Sequence, residues 1–352
     1  MITIAVDAMG GDDAPASVVE GAAQASLDTE CEIALVGDEA EIERHLDRVK
    51  HRGDRIRIVG ADGVIPMDCS PRQALAEHPD SSLEKAARIV AGTDGDLQAD
   101  ALVSAGNTGA VILACAEHFS RIPGIQRTAL AAVVPTERRR GEKEDPFTLI
   151  LDVGATVRVE GRDLVNFALM GAAYSRIISR NERPRVALLS NGSEANKGTR
   201  EIKEAHQHLA ARSDLGLNFV GNIEGVDIAH GAADVIVTDG FTDNVVLKML
   251  EGVSETVMNI ARFAYRSRVT WKLAMMLLSG GIRQLKRVTD WQQYGGAPIL
   301  GFDRLCIKAH GRSSPRAIRN AIRVAKKCVE QDLATAIRGD LSISAGDDGP
   351  PA

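Results

Sequence analysis

The chain has 352 residues, of which 44% are hydrophobic, 26% charged and only 3% aromatic, so it can bury a substantial core. The formal net charge of -6 argues against a nucleic-acid binder. Cys31, Cys69, Cys115, Cys306 and Cys328 are scattered with no C-x-x-C pair, which argues against a disulfide framework or zinc site and fits a reducing cytoplasm.

The amino terminus enters a predicted strand, Ile2–Val6, with no basic and apolar leader, so no signal peptide is expected. No apolar run approaches the ~20 residues of a spanning helix. Asp13 and Pro15 mark a helix start, predicted over Pro15–Leu27. Strands are predicted over Glu32–Val36 and Arg55–Val59, with a helix over Glu39–Val49 between them. Residues 60–80 carry Pro66, Pro71 and Pro79 and read as irregular, and Ser82–Ala91 reads as helix. A strand over Ala101–Val103, a helix over Gly109–Ile122 and a strand-like run over Ala129–Val134 follow. The mixed charge run from Thr136 to Pro146 reads as a solvated loop. Beyond it, strands are predicted over Phe147–Leu151, Val186–Leu189, Leu217–Val220 and Val235–Val237, with helices over Asp163–Ile178 and Arg200–Ala211. Residues 1–338 are expected to form a single α/β catalytic domain, and 339–352, rich in Gly, Pro, Ser and Asp, a disordered tail.

Five of the predicted strands end in small polar residues and glycines: Asp7–Asp12, Ser104–Gly109, Asp152–Gly154, Ser190–Gly192 and Thr238–Gly240. Parallel strands whose carboxyl ends face one crevice are built this way, and that crevice is where open α/β sheets bind ligands. Glycines admit an anion close to backbone amides, and helix N-termini favour negative charge. A phosphate-sized pocket is therefore expected.

Ser104-Ala105-Gly106-Asn107-Thr108-Gly109 places donors and amides at a helix start, as a phosphate cradle requires. In the Gly192–Thr199 loop Lys197 precedes Gly198, the reverse of a P-loop, which argues against nucleotide triphosphate hydrolysis but leaves Lys197 well placed for an anion. The first turn, with Gly10 and Gly11, lacks the G-x-G-x-x-G spacing of a dinucleotide site. Asp239, Gly240 and Phe241 form a similar loop, with Thr242 the N-cap candidate and Asn244 in the first helical turn. Near the carboxyl end, Lys308 and His310 would share one face of a strand and serve one anionic site. His206 and His208 diverge on a helix and make a poor metal pair. With no G-x-S-x-G, no H-E-x-x-H and no Cys or His cluster, neither serine catalysis nor a metal or other cofactor is expected.

Residues 256–289 contain no Asp or Glu, carry seven Lys or Arg residues, and include Trp271, Leu273, Met275, Met276, Leu277 and Leu278. A helical arm spanning about 250–292 is expected. It would meet a membrane surface, an acidic protein partner, or a second copy of the chain.

Together, Val6–Asp12, Ser104–Ala110, Asp152–Ala155, Gly221–Gly225, Thr238–Phe241, Tyr294–Ala297 and Ile307–Gly311 resemble the bacterial phosphate acyltransferase family. That family makes acyl phosphate from acyl-acyl carrier protein and inorganic phosphate, feeding phospholipid synthesis. The resemblance covers the chain except its tail. It implies a three-layer α/β/α Rossmann-like fold related to phosphotransacetylase and isopropylmalate dehydrogenase, with a protruding helical arm. It further implies a cytoplasmic homodimer in peripheral contact with the anionic membrane and with a downstream glycerol-3-phosphate acyltransferase. Lys197 and Asn244 stand at positions put forward as catalytic in the family. Two residues depart from it: Asp243 where glycine is usual, and Thr156 where asparagine is usual.

The expected site thus comprises Lys197, Asn244 and His310 as catalytic groups. Gly10, Gly11, Ser104, Gly106, Asn107, Thr108, Asp239, Gly240, Phe241 and Lys308 are the expected substrate-binding groups. A phosphotransacetylase acting on a coenzyme A thioester and a non-enzymatic phosphate-ligand sensor at the membrane are the alternatives.

Overall fold

The computed structural model describes residues 1–137, 147–212, 216–267, 270 and 295–345. Strands β1 (Thr3–Asp7), β2 (Glu32–Gly37), β3 (Ile56–Gly60) and β4 (Ala101–Ser104) pair in parallel in the order β3-β2-β1-β4. Successive residues of β1 point to opposite faces of the pleated sheet, and both faces are covered. Ile4 and Val6 meet α1 (Ala16–Asp28), whereas Ala5 joins the cluster of Leu83 and Ala87 on α4 (Ser82–Ala91) and of Val111 on α5 (Thr108–His118). Helix α2 (Glu39–Leu46), three residues shorter at its end than the sequence predicts, joins β2 to β3, and the helices on both faces give the three layers.

The run Ala129–Val134, which reads as one strand, is two. Strand β5 (Ala129–Leu130) closes the edge of the first sheet and β6 (Ala132–Pro135) opens a second. Between them the Ala131 N–H donates to Pro298 O at 3.0 Å. The second sheet also holds β7 (Phe147–Leu151), β8 (Arg185–Leu189), β9 (Asn218–Ile223) and β10 (Val235–Val237), in the order β6-β7-β10-β8-β9. The chain then returns to the first sheet through β11 (Ala297–Leu300) and β12 (Leu305–Lys308), β12 lying parallel to β4. The five glycine-ended strands therefore serve two sheets, β1 and β4 in one and β7, β8 and β10 in the other. The sheets share a core: Ile150, Ala187 and Ile236 of the second belong to the same cluster as Leu102 and Ile299 of the first.

Several boundaries differ from the sequence reading. Residues 60–80 contain a short helix, α3 (Pro71–Glu77), whose proline occupies its first turn. Helix α6 (Gly161–Ile178) starts before Asp163, because Glu160 and Asp163 form a capping box. Helices α7 (Arg200–Ala211) and α8 (Gly225–His230) flank the second sheet. A single helix, α9 (Gly240–Ser267), leaves β10 and runs 28 residues, about 42 Å at 1.5 Å per residue. It exposes Phe241, Val245, Met249, Val253, Val257, Ile260 and Phe263. The rest of the expected arm, with Trp271, Leu273, Met275, Met276, Leu277 and Leu278, lies outside the described residues.

Helix α10 (Pro315–Glu330) packs on α1, and α11 (Leu333–Ala345) packs on α6. Residues 339–345 are thus helical, which corrects the tail expected from 339. Leu341 is buried and Asp340 pairs with Arg176, so the small polar residues of this stretch sit on a docked helix.

Candidate active site

The site starts from a buried carboxylate. Asp7, the last residue of β1, accepts hydrogen bonds from Ser82 Oγ at 2.6 Å and Ser104 Oγ at 2.7 Å. Burial raises its pKa, and these hydroxyls with nearby backbone amides oppose the rise. Ser104 Oγ also accepts the Gly106 N–H at 3.0 Å. Gly10 is pressed against the same group: a Cβ there would lie 2.3 Å from Asp7 Oδ2 and 2.8 Å from Gly106 N. Gly10 and Ser104 thus shape the loops, and neither is among the residues that line the adjacent cavity. Gly11, at φ +126°, turns the chain so that the Asp12 N–H donates to Gly311 O at 2.9 Å. This ties the first loop to the loop that follows β12.

A cavity of about 610 Å³ opens between the two sheets, within the size range of small-molecule sites. Gly106, Asn107 and Thr108 bring the N-terminus of α5 to it. Asn107 itself is the cap: its Oδ1 accepts from Ala110 N at 3.1 Å while its Nδ2 donates to Met67 O at 2.8 Å. What it offers a ligand is therefore the helix end, a positive dipole terminus.

Basic residues stand beside this helix end, because Lys308 of β12 pairs in register with Ser104 of β4. Lys308, Lys248 and His310 line the cavity, together with Asn244 and Glu251 of α9. Lys308 is buried, its ammonium donates to Ala309 O, and burial lowers its pKa to about 8. Strand β12 ends at Lys308, so His310 reaches the cavity from the loop and not from a shared strand face. His310 Nδ1 accepts from the Arg312 N–H at 3.1 Å, which assigns the neutral ring's proton to Nε2. Burial first, and then the charge of Lys248, lower its pKa and favour that neutral form.

Asp239, not Thr242, starts α9. Its Oδ1 accepts the N–H groups of Phe241 at 3.0 Å and Thr242 at 2.9 Å, and its Oδ2 accepts Thr242 Oγ1 at 2.7 Å. Asp239 is thereby committed to the helix start, as expected of an N-cap. Gly240 is packed too tightly for a side chain, since a Cβ would lie 2.6 Å from Asp152 Oδ2. Phe241 is 64% exposed. None of the three lines the cavity, whereas Asn244, one turn on, does.

Thr156 and Asp243, at which the resemblance implies a departure, both lie at this helix start. Thr156 Oγ1 donates to Thr128 O at 2.9 Å, and its carbonyl accepts the Gly240 N–H at 2.9 Å. Asp243 is fully buried and neither carboxyl oxygen has a hydrogen-bond partner among the described residues. Burial and the charges of Asp152 and Asp239 push its pKa well up, which favours its neutral form.

Lys197 is not brought to this cavity. Its loop is held by the Gly198 N–H on Asn191 Oδ1 at 2.9 Å and by Asn222 Nδ2 on Glu194 O at 2.9 Å, and the Lys197 side chain is exposed. Residues the motifs did not single out are present instead: Met67, Lys248 and Glu251. For Lys248 and Glu251 the signal is helical spacing, because Asn244, Lys248 and Glu251 fall at i, i+4 and i+7 on one face of α9. Among the described residues no cluster of three or more His, Cys, Asp or Glu is arranged to hold a metal.

The fold matches that of solved phosphotransacetylases. One from Streptococcus pyogenes superposes with a TM-score of 0.56 at 16% identity, covering 97% of this chain and 94% of that one. A branched-chain phosphotransacylase from Enterococcus faecalis gives 0.53 at 14% identity, covering 94% and 99%. In sequence, residues 2–336 match the family described as fatty acid synthesis protein. The phosphate acyltransferase of Thermodesulfovibrio yellowstonii is 40% identical over 342 residues, 97% of this chain and 95% of the relative. That of Oceanobacillus iheyensis is 41% identical over 334 residues, 95% and 96%. With a family match over nearly its whole length and such relatives, this chain belongs to the phosphate acyltransferases, an enzyme family.

Proposed function

We propose that the chain moves a long-chain acyl group from the thioester of acyl-acyl carrier protein to inorganic phosphate, and that the acyl phosphate feeds phosphatidic acid and phospholipid synthesis. One observation carries the reading: a single cavity gathers Lys248, Lys308, His310 and Asn244 with the N-terminus of α5. That is a set of donors for phosphate and for the oxyanion of a tetrahedral intermediate. Neither hydroxyl in the lining, Thr108 or Ser313, is hydrogen-bonded to a base among the described residues. Phosphate needs no such base, because it is already an anionic nucleophile.

In this reading a phosphate oxygen attacks the thioester carbonyl, the C–O bond forms, the C–S bond breaks and the thiolate leaves. A thiol of pKa about 8.5 leaves without an obligatory acid. Holding the reactants in contact and stabilising the oxyanion are the protein's work. Lys308 and the α5 terminus bind phosphate, and Asn244 and the Nε2–H of His310 donate to the oxyanion. Lys197, on its exposed loop, is assigned to the acyl donor. The apolar stripe of α9 supports cover by a second copy of the chain and by an anionic membrane surface, where basic Arg262 and Arg266 would also be favoured. No described helix is long and apolar enough to cross a membrane.

The test compares acyl-phosphate formation from the carrier-protein thioester and from the coenzyme A thioester of the same acyl chain. Preference for the first is expected. Preference for the second would make the chain a phosphotransacetylase.

A further inference from the structure

Lys248 and Glu251 form an ion pair at the cavity wall, with Nζ 2.8 Å from Oε2 and side chains 56% and 39% exposed. Three features set the pair apart from an ordinary surface contact. Both residues line the cavity that also holds Lys308 and His310. The pair runs lysine first, the orientation that stabilises a helix less than glutamate first. And His310 feels the charge of both, so the two face it across the same space. Glu251 thus sets a carboxylate among cations. Asp12 is the other acid that lines the cavity, on the first-sheet side.

We propose that Lys248 is a phosphate-binding residue and that Glu251 competes with phosphate for its ammonium, so that phosphate binds by displacing the Glu251 carboxylate. This rests on the reading of the cavity as the phosphate site. Glu251 Oε2 takes the place on Lys248 that a phosphate oxygen would take, and two anions held on one half-exposed ammonium would repel each other. Glu251 then sets the phosphate affinity as a built-in competitor, and its side chain is free to swing toward solvent when displaced. Lys308 does not depend on it, because its ammonium is fixed on Ala309 O.

The experiment is calorimetric titration of the full chain with inorganic phosphate and no acyl donor. Glu251→Gln should bind phosphate about three-fold tighter, the scale of one exposed ion pair. Lys248→Met should bind it about ten-fold weaker, the scale of one charge-assisted hydrogen bond. In the double variant the Glu251→Gln gain should vanish, because its target is gone. Unchanged or weaker binding by Glu251→Gln, or a gain that survives in the double variant, would overturn the displacement. If the wild type itself binds no phosphate, the phosphate site falls together with it. If the wild type binds and the variants bind alike, only Lys248 and Glu251 lose their roles.

Discussion

Asp152 and Asp243 are both fully buried and close enough to repel, yet Asp152 accepts backbone N–H groups from Leu130, Gly154, Ala155 and Thr156 while Asp243 accepts none among the described residues. The first is an anion nest that knits the crossover between the sheets. Burial still lifts its pKa to about 6 against those amides. The second is a carboxyl that folding forces toward its neutral form, at the very turn that delivers Asn244.

Asp243→Asn is expected to stabilise the protein at pH 8, because the amide is neutral at any pH whereas the buried carboxyl must hold its proton against the solvent pH or ionise without a partner. The sign follows from linkage. The folded pKa of Asp243 lies above its unfolded value, so its contribution is fully present below pH 4 and is lost as pH rises. The advantage of the variant should therefore widen between pH 4 and pH 8 in urea denaturation. A gap that stays constant or narrows over that range would show that Asp243 is not the group responsible.

Lys308 is a buried ammonium that begins to lose its proton near pH 8. Phosphate affinity should fall as pH rises through that value. Lys308→Arg keeps a charge past pH 12 and should move the falling limb to higher pH, even at reduced turnover. For stability the sign is opposite. A lysine with a lowered folded pKa burdens the fold below pH 8, and the burden lifts between pH 8 and its unfolded value of 10.5. Lys308→Met should thus gain on the order of 2–3 kcal/mol at pH 7. Equal melting of the two proteins at pH 7 would contradict this.

Gly10→Ala should cost about 2 kcal/mol or more, because the new methyl meets Asp7 Oδ2 at 2.3 Å and must displace the carboxylate that braces Ser82 and Ser104. Thermal melting reads the loss directly. Phosphate affinity should fall with it, since Gly106 is held by the same Ser104.

For Asn244→Ala, kcat should drop about 100-fold with little change in phosphate affinity, the signature of a lost oxyanion donor. Lys197→Ala should lower turnover at least about ten-fold while leaving phosphate binding intact. Wild-type turnover in that variant would remove Lys197 from the reaction.

Much of the fold is legible in the chain. The bounds of α4, α7, β7 and β10 are those the apolar periodicity predicts, because caps and β-branched runs fix them locally. The division into two sheets is not legible. It turns on Ala131, a residue with no glycine or proline signal, whose N–H simply pairs elsewhere. Strand β11 contains Pro298 and only four residues, too little for a pattern. For the site, the loops announce themselves through glycine, but which loop residues face the ligand is a tertiary matter. Asp239 and Asn107 have typical ligand-binding chemistry, yet each side chain is engaged as a helix cap. Lys248 and Glu251 become readable only once the face of α9 that meets the cavity is known.

The most direct measurement is acyl-phosphate formation from long-chain acyl-acyl carrier protein and inorganic phosphate, with the product trapped by hydroxylamine. Acyl hydroxamate that forms only with phosphate, saturates with it, and declines in Asn244→Ala is the predicted result. Phosphate binding with no acyl product from the carrier-protein thioester would contradict the transferase reading and leave a phosphate-ligand sensor in its place.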